Sequence, residues 1–149
     1  TCCISLATVC SSVSCHPNST SVHELSFPCM IPTAVPFKED CKTLHTGRVG
    51  RDLTTAEASA LSRHIGLEMV TTLKSAVGDL DKVERIVKLV GFVQCEDDYT
   101  EQPEVINGCS DLLQEIFGDK GVHARSAVGT NALPRQVPVE IEMIAQIRD

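Results

Sequence analysis

Three charged residues near the C-terminus stand among small and apolar neighbours, in a pattern that could do chemistry. Arg125 lies in the strand-like run HARSAVGT, and Glu140 and Glu142 alternate with apolar residues in PVEIEMIAQI. A lone buried charge is costly, so an Arg in such a run needs either an acidic partner or a ligand. Both glutamates lie on one face of their strand. From the residues alone, an ion pair for Arg125 and a solvated face for the glutamates remain as alternatives to a binding site.

The elements that must position these residues begin with a helix and a strand. TTAEASALSRHIGLEMVTTLKSAVG predicts a helix over 54–78, because Thr54 and Glu57 have the spacing of a capping box and Gly78 supplies a stop. KVERIVKLVGFVQC is β-branched and partly alternating, which predicts a strand over 82–95 with Gly91 as a bulge. The helix is predicted to turn one apolar face inward: Leu61, Ile65, Met69, Val70, Leu73 and Val77.

A second helix is predicted over about 101–117, with Pro103 in its first turn. Asn107 and Gly108 interrupt its good helix formers, and the small residue is expected to permit close packing at a subunit contact. The inward stripe is predicted to consist of Val105, Ile106, Cys109, Leu112, Leu113, Ile116 and Phe117.

Two more strands, over 122–130 and 138–147, complete the predicted set of elements. The order helix, strand, helix, strand, strand predicts an α+β fold with both helices on one face of the sheet. The other face then needs a cover, which a trimer or another oligomer would supply.

Composition excludes several classes of function. The formal net charge is −7 and the 13 Lys and Arg residues are scattered, which argues against a nucleic-acid partner. No apolar run approaches the roughly 20 residues of a membrane helix, so the chain is expected to be soluble and intracellular. The cysteines are expected to be reduced thiols, because a chain of this size needs no disulfides to form a core. Neither Cys15-His16 nor Cys41 with His45 has a usual zinc spacing.

Five motifs occur in order along the chain: HTGRVG, GDLDKVERIVKLVGFV, VINGCSDLLQEIFG, HARSAVGTNALP and VEIEMIA. Together they resemble the Rid family, the reactive intermediate deaminases also called the YjgF family, and most closely its endoribonuclease-like branch. The resemblance covers about residues 44–149. It implies a chorismate-mutase-like fold, a mixed sheet with two helices on one face, that assembles as a homotrimer with a ligand cleft at each subunit interface.

The resemblance also implies an activity, the hydrolysis of 2-imino acids and their enamine tautomers to 2-oxo acids and ammonia without metal or cofactor. The family's substrate-binding arginine, in an ARS motif ahead of an LP turn, corresponds to Arg125. Its glutamate in VEIE corresponds to Glu140, the implied general base, while Glu142 lies one pleat away. A small 2-imino or 2-oxo acid is the expected ligand. The cytoplasm is the expected location, with the mitochondrion as the alternative.

The chain departs from the family at two places. Many members have a Cys two residues after the arginine, where Ala127 stands here. Members also begin with two strands and a YVSG-like turn, which cannot be read in residues 1–43, a segment rich in Ser, Cys, Thr and Pro where no element is predicted. Reading the codons of TCCISLAT from their third base permits LLYISGH, so we hypothesise that residues 1 to about 40 come from a frame-shifted reading of the gene.

Two alternative functions follow from these departures and from the family's history. An incomplete cleft favours a non-catalytic trimer that binds small carboxylates or serves as an interaction module. RNA cleavage would require nuclease groups, for which His64 and His123 are the candidates. His64 is expected on a helix surface and His123 at a strand end, and the acidic chain does not favour RNA binding.

Overall fold

One sheet and two helices form the described part of the chain. The computed structural model describes residues 26–38, 40 and 42–148. The strands are β1 (Ser26–Ala34), β2 (Val83–Gln94), β3 (Ala124–Thr130) and β4 (Val139–Arg148), and the helices are α1 (Thr55–Val77) and α2 (Gln102–Phe117). The strand order is β1-β4-β2-β3; β2 and β3 are parallel, and both other neighbouring pairs are antiparallel. The predicted α+β fold with a mixed sheet is confirmed.

Both helices pack on the same face of the sheet. Alternate residues of β4 are buried beneath them, from Val139 through Met143 to Ile147. Leu89 and Val93 of β2 are buried on the same side. The parallel β2–α2–β3 connection places α2 above β3, as such crossovers require. The prediction that the helices share one face is confirmed.

None of the described elements covers the other face of the sheet. Met30 of β1 is 57 % exposed and Val128 of β3 is 43 % exposed. Phe92 and Ile144, on the strands between them, are partly exposed. Neither described helix combines the length and apolarity needed to cross a bilayer. The open face therefore exposes apolar side chains alongside charged ones such as Lys88, which pairs in register with Ile144.

Helix α1 begins and ends where the sequence predicts. The Thr54 side chain accepts from the Glu57 backbone N–H, the Glu57 carboxylate accepts from the Thr54 N–H, and Gly78 ends the helix with φ of 82°. The predicted inward stripes need small corrections. Ser62 is fully buried on α1, whereas Leu61 is only partly buried. Ile116 of α2 is 40 % exposed, while its neighbour Phe117 packs against the core.

The sequence pattern does not predict strand β1. This strand pairs with β4 from Ser26↔Arg148 to Ala34↔Ile141, with an irregularity between Ile31 and Ala34. Its sequence, SFPCMIPTA, contains two prolines, which are tolerated in a strand at the edge of a sheet. The hypothesis of a frame-shifted reading covers residues 1 to about 40, of which 1–25 and 39 lie outside the described residues, and it stays a hypothesis.

Gly91 is not a bulge, contrary to the sequence prediction. Its pairing with Ala127 on β3 and Ile141 on β4 is regular. A Cβ at this position would lie 2.4 Å from Cδ1 of Ile106. The glycine is therefore required because α2 packs closely against β2.

Gly108 brings the two helices together within one subunit, and its role at a subunit contact stays a prediction. A Cβ at Gly108 would lie 2.0 Å from the carbonyl oxygen of Ser59 on α1. Backbone atoms of α1 cannot move away without shifting the whole helix. The absence of a side chain on α2 therefore sets the distance between α1 and α2.

We expect Gly108→Ala to lower the free energy of unfolding by about 1–3 kcal/mol, because the added methyl forces the helices apart. This loss outweighs the roughly 1 kcal/mol by which Ala exceeds Gly in helix propensity. Urea denaturation followed by circular dichroism, at one protein concentration, measures the change. Gln114→Ala, at an exposed position of the same helix, is the control and should be near neutral. Equal stability of Gly108→Ala and wild type would contradict the packing argument.

Candidate functional site

Arg125 projects from the edge strand β3 toward α2. Its register partner is Leu89, whose side chain is buried on the helix-covered face, so Arg125 leaves β3 on that same face. Arg125 Nη1 donates to Asn107 Oδ1 at 2.7 Å and to Ser110 Oγ at 3.1 Å. Asn107 and Ser110 are three residues apart on α2 and therefore lie on one side of that helix. These two neutral groups hold one nitrogen of the guanidinium.

The opposite edge of the same guanidinium carries no partner from the part of the chain that the structure describes. Among the residues that the structure describes, none bonds Arg125 Nε or Nη2, and no carboxylate forms an ion pair with it. Arg125 is an exposed residue. Nε–H and Nη2–H are parallel donors whose spacing matches the two oxygens of a carboxylate. Within the described chain, the alternative of an acidic partner for Arg125 has no support, and its free edge is suited to an external acid.

A serine and a histidine extend the contacts of Arg125 into the protein. Ser110 Oγ lies 3.1 Å from His123 Nε2, and His123 Nδ1 lies 2.6 Å from the carbonyl oxygen of Gly121. His123 precedes β3, as predicted for a residue at a strand end. His64 instead lies exposed on α1, where it pairs with Glu68 at 3.3 Å. The two histidines therefore have separate partners, which does not favour a joint nuclease site.

The thiol nearest to this cluster is not a nucleophile at neutral pH. Cys109 is fully buried on α2. Burial raises the pKa of the Cys109 thiol to about 12, and the positive charge of Arg125 only partly opposes the shift. With Ala127 in place of the family's cysteine, the described residues around Arg125 offer no reactive thiolate.

Glu140 and Glu142 lie side by side on β4, on the open face of the sheet. Glu140 pairs in register with Phe92, and Glu142 with Val90. Glu142 accepts from Thr33 Oγ1 at 3.2 Å. Among the described residues, none bonds the Glu140 carboxylate. The two glutamates therefore differ: one is held by β1, and the other is available.

Partial burial raises the pKa of Glu140, and the neighbouring negative charge of Glu142 raises it further. A carboxylate with a raised pKa is a stronger base when ionised, and a larger fraction of it is protonated near neutral pH and so able to act as an acid. These properties distinguish Glu140 from an ordinary solvated glutamate.

Arg125 and Glu140 do not meet within one chain. Arg125 leaves β3 on the face covered by the helices, whereas Glu140 leaves β4 on the open face. Strand pairing fixes this difference, because side chains alternate between faces with a period of two. The described chain therefore contains two separate half-sites.

The sequence does not predict three of the residues beside Arg125 to be part of the site. The sequence presents Asn107 as a helix interruption, gives Ser110 no predicted role, and offers His123 only as a candidate for nuclease chemistry. Only the parallel crossover brings α2 beside β3. The i, i+3 spacing of Asn107 and Ser110 was the available signal, since it places two polar groups on one side of an otherwise apolar stripe.

Comparison with known proteins identifies the family to which this chain is similar. Residues 10–146 match the model of the family described as "YjgF/chorismate mutase-like, putative endoribonuclease". Protein TCP17 of Trypanosoma cruzi is 41 % identical over 113 residues, which are 75 % of this chain and 71 % of that protein. The family match begins inside the segment 1–43 that composition separates from the rest.

Solved structures agree with the sequence comparisons. The Agrobacterium tumefaciens protein Atu1372, of unknown function, is 37 % identical with a TM-score of 0.77; the alignment covers 80 % of this chain and 76 % of that one. A Shewanella oneidensis protein with a provisional endoribonuclease name is 27 % identical with a TM-score of 0.77, over 91 % and 89 % of the two chains. The resemblance seen in the motifs is thus confirmed, and the chain belongs to the YjgF/chorismate mutase-like family.

Proposed function

We propose that the protein hydrolyses small 2-imino acids, and their enamine tautomers, to 2-oxo acids and ammonia in a cleft between subunits of a homotrimer. The observation that carries the proposal is the guanidinium of Arg125, anchored through Nη1 by neutral groups and open at its Nε/Nη2 edge. Full positive charge remains available there for the substrate carboxylate. A bidentate contact would hold the imino acid in one orientation.

The proposed chemistry requires a water aligned with the C=N carbon. Glu140 accepts a proton from this water as its oxygen bonds to C2 of the protonated imine. In the resulting carbinolamine the nitrogen takes up the proton that Glu140 returns, the C–N bond breaks and ammonia leaves. The hydroxyl group then loses its proton to water, and C2 becomes the carbonyl carbon of the 2-oxo acid. The raised pKa of Glu140 suits a group that first accepts a proton and then returns it.

Two subunits are needed for this reaction, because one chain displays Arg125 and Glu140 on opposite faces of its sheet. The open face around Glu140 carries the apolar side chains of Phe92 and Val128, which are suited to contact with a second copy. A cyclic trimer would repeat the same contact three times, so that each cleft takes Arg125 from one subunit and Glu140 from its neighbour.

The direct test is an assay of ammonia release from freshly generated 2-iminobutyrate. The imine is produced by a pyridoxal-phosphate threonine dehydratase, and its spontaneous hydrolysis is subtracted. Acceleration by purified trimer supports the proposal. A correctly folded trimer that leaves the spontaneous rate unchanged would overturn it.

The alternative function is a non-catalytic trimer that binds small carboxylates or a protein partner. The separation of the half-sites favours it if the neighbouring subunit does not bring Glu140 to Arg125. Binding of 2-oxobutyrate without acceleration of imine hydrolysis would identify this case. The endoribonuclease wording in the family's description has less support, since a net charge of −7 opposes binding to RNA.

We expect the rate of imine hydrolysis, corrected for the spontaneous reaction, to fall as Glu140 becomes protonated. Since burial and Glu142 raise the pKa of Glu140, the acid limb of the pH–rate profile should lie above the ordinary glutamate value of 4.5. Glu142→Gln removes one of the two causes and should move the limb to lower pH, while its amide oxygen can still accept from Thr33. An unchanged limb in Glu142→Gln would argue against Glu140 as the titrating base.

A further inference from the structure

We infer that Ser110 and His123 are positioning residues for Arg125. A chain of hydrogen bonds that starts at the carbonyl of Gly121 fixes one nitrogen of the guanidinium and so directs its free edge outward. The identity of the acid expected to bind this edge, a 2-imino acid, rests on the proposed function. The orientation of the guanidinium can be measured without any substrate.

The direction of each hydrogen bond follows from the one before it. The Gly121 carbonyl oxygen can only accept, so His123 Nδ1, at 2.6 Å, carries the hydrogen. In the neutral imidazole, Nε2 then has no hydrogen and accepts from the Ser110 hydroxyl at 3.1 Å. Having donated its single hydrogen, Ser110 Oγ accepts from Arg125 Nη1 at 3.1 Å. With His123 neutral, hydrogen donation therefore runs in one direction, from Arg125 through Ser110 and His123 to the Gly121 carbonyl.

The start of this chain is held firmly against α2. Gly121 is buried, and a Cβ at that position would lie 2.3 Å from the carbonyl oxygen of Leu113. The turn that carries the accepting carbonyl thus packs directly on the helix backbone. Ser110 is only 7 % exposed, so its hydroxyl has little freedom to exchange His123 for water. Gly121 and Ser110, the two residues on either side of His123 in this chain of hydrogen bonds, are therefore both buried.

An exposed arginine needs such support to bind a small acid in one orientation. Its long side chain has many rotamers, and the entropy lost in fixing one of them would otherwise weaken binding. Asn107 alone would leave the guanidinium free to pivot about a single hydrogen bond. Ser110 supplies the second anchor on the same nitrogen, so both hydrogens of Nη1 are used and Nε and Nη2 point away. The groups that hold Nη1 are all uncharged when His123 is neutral. No negative charge on them therefore cancels the positive charge of the guanidinium.

Nitrogen-15 NMR of Arg125 tests the inference directly, through the rate of rotation about its Nε–Cζ bond, with Arg125→Ala used to assign the signal. We expect rotation to be slow in wild type and faster in Ser110→Ala and in His123→Phe, which lacks an acceptor. His123→Gln should retain slow rotation, because its amide oxygen can accept from Ser110. Ser75→Ala, which removes an exposed hydroxyl of α1, is the control. Unchanged slow rotation in both Ser110→Ala and His123→Phe would overturn the inference.

Kinetics of imine hydrolysis provide the second measurement. Ser110→Ala should raise KM by about 10-fold, the effect of losing one hydrogen bond to a charged group, with a smaller change in kcat. Added to Arg125→Ala, it should have no further effect, because a positioning residue acts only through the residue that it positions. Additive effects would overturn the inference. If the wild-type trimer does not hydrolyse imines, the proposed function fails, and the NMR result still decides the role of Ser110 and His123.

Discussion

Arg125→Ala is expected to lower kcat/KM for 2-iminobutyrate by about 100- to 10 000-fold. Two charge-assisted hydrogen bonds from Nε and Nη2 to the substrate carboxylate would be lost, each worth about 1.5–3 kcal/mol. Arg125 is exposed and its described partners are neutral, so its removal leaves no buried charge unpaired and the fold should persist. Steady-state ammonia release measures the effect, with circular dichroism as the check on folding.

Arg125→Lys is the matched variant for this prediction. It keeps the positive charge but cannot present two parallel donors, so it should recover only a small part of the lost kcat/KM. Binding of 2-oxobutyrate, measured by calorimetry, should weaken in the same order as kcat/KM. Wild-type activity in Arg125→Ala would show that the carboxylate binds elsewhere, and the proposed site would be abandoned.

Glu140→Gln is expected to lower kcat by about 100- to 10 000-fold, the usual contribution of a general base, with little change in KM. The amide has nearly the same shape as the carboxylate but cannot accept a proton from water. Glu142→Gln is the matched control, because Glu142 is held by Thr33 on the same face and should retain most of the wild-type kcat above the acid limb. Equal losses in both variants would point to a general effect on β4 rather than to a base.

Mixed trimers test whether the two residues come from different subunits. Arg125→Ala and Glu140→Gln subunits, unfolded together in equal amounts and refolded, should regain about a quarter of the wild-type rate. Three quarters of the trimers contain both kinds of subunit, and in a cyclic trimer each of these has one cleft of three with both residues intact. If both residues came from the same subunit, every cleft would lack one of them. Mixing would then restore nothing.

The sequence alone determined the elements that depend on local patterns. The capping box of Thr54 and Glu57, the stop at Gly78 and the apolar stripe of α2 predicted helices within one or two residues of their observed bounds. The alternation in PVEIEMIAQI predicted β4 and placed both glutamates on one face. Ordered motifs with an ARS and a VEIE segment identified the family. Each of these signals lies within a short stretch of chain, where the helical or strand period is directly visible.

Only the tertiary structure decided how distant parts meet. Strand β1 has no clear pattern of its own, because its place at the sheet edge comes from pairing with β4, far away in the chain. Gly91 and Gly108 look like irregularities in sequence, yet they are the points where α2 approaches β2 and α1. Register placed Arg125 and Glu140 on opposite faces, and the β2–α2–β3 crossover brought Ser110 and His123 to Arg125. Such contacts join residues that are distant in sequence, and local periodicity carries no information about which of them will touch.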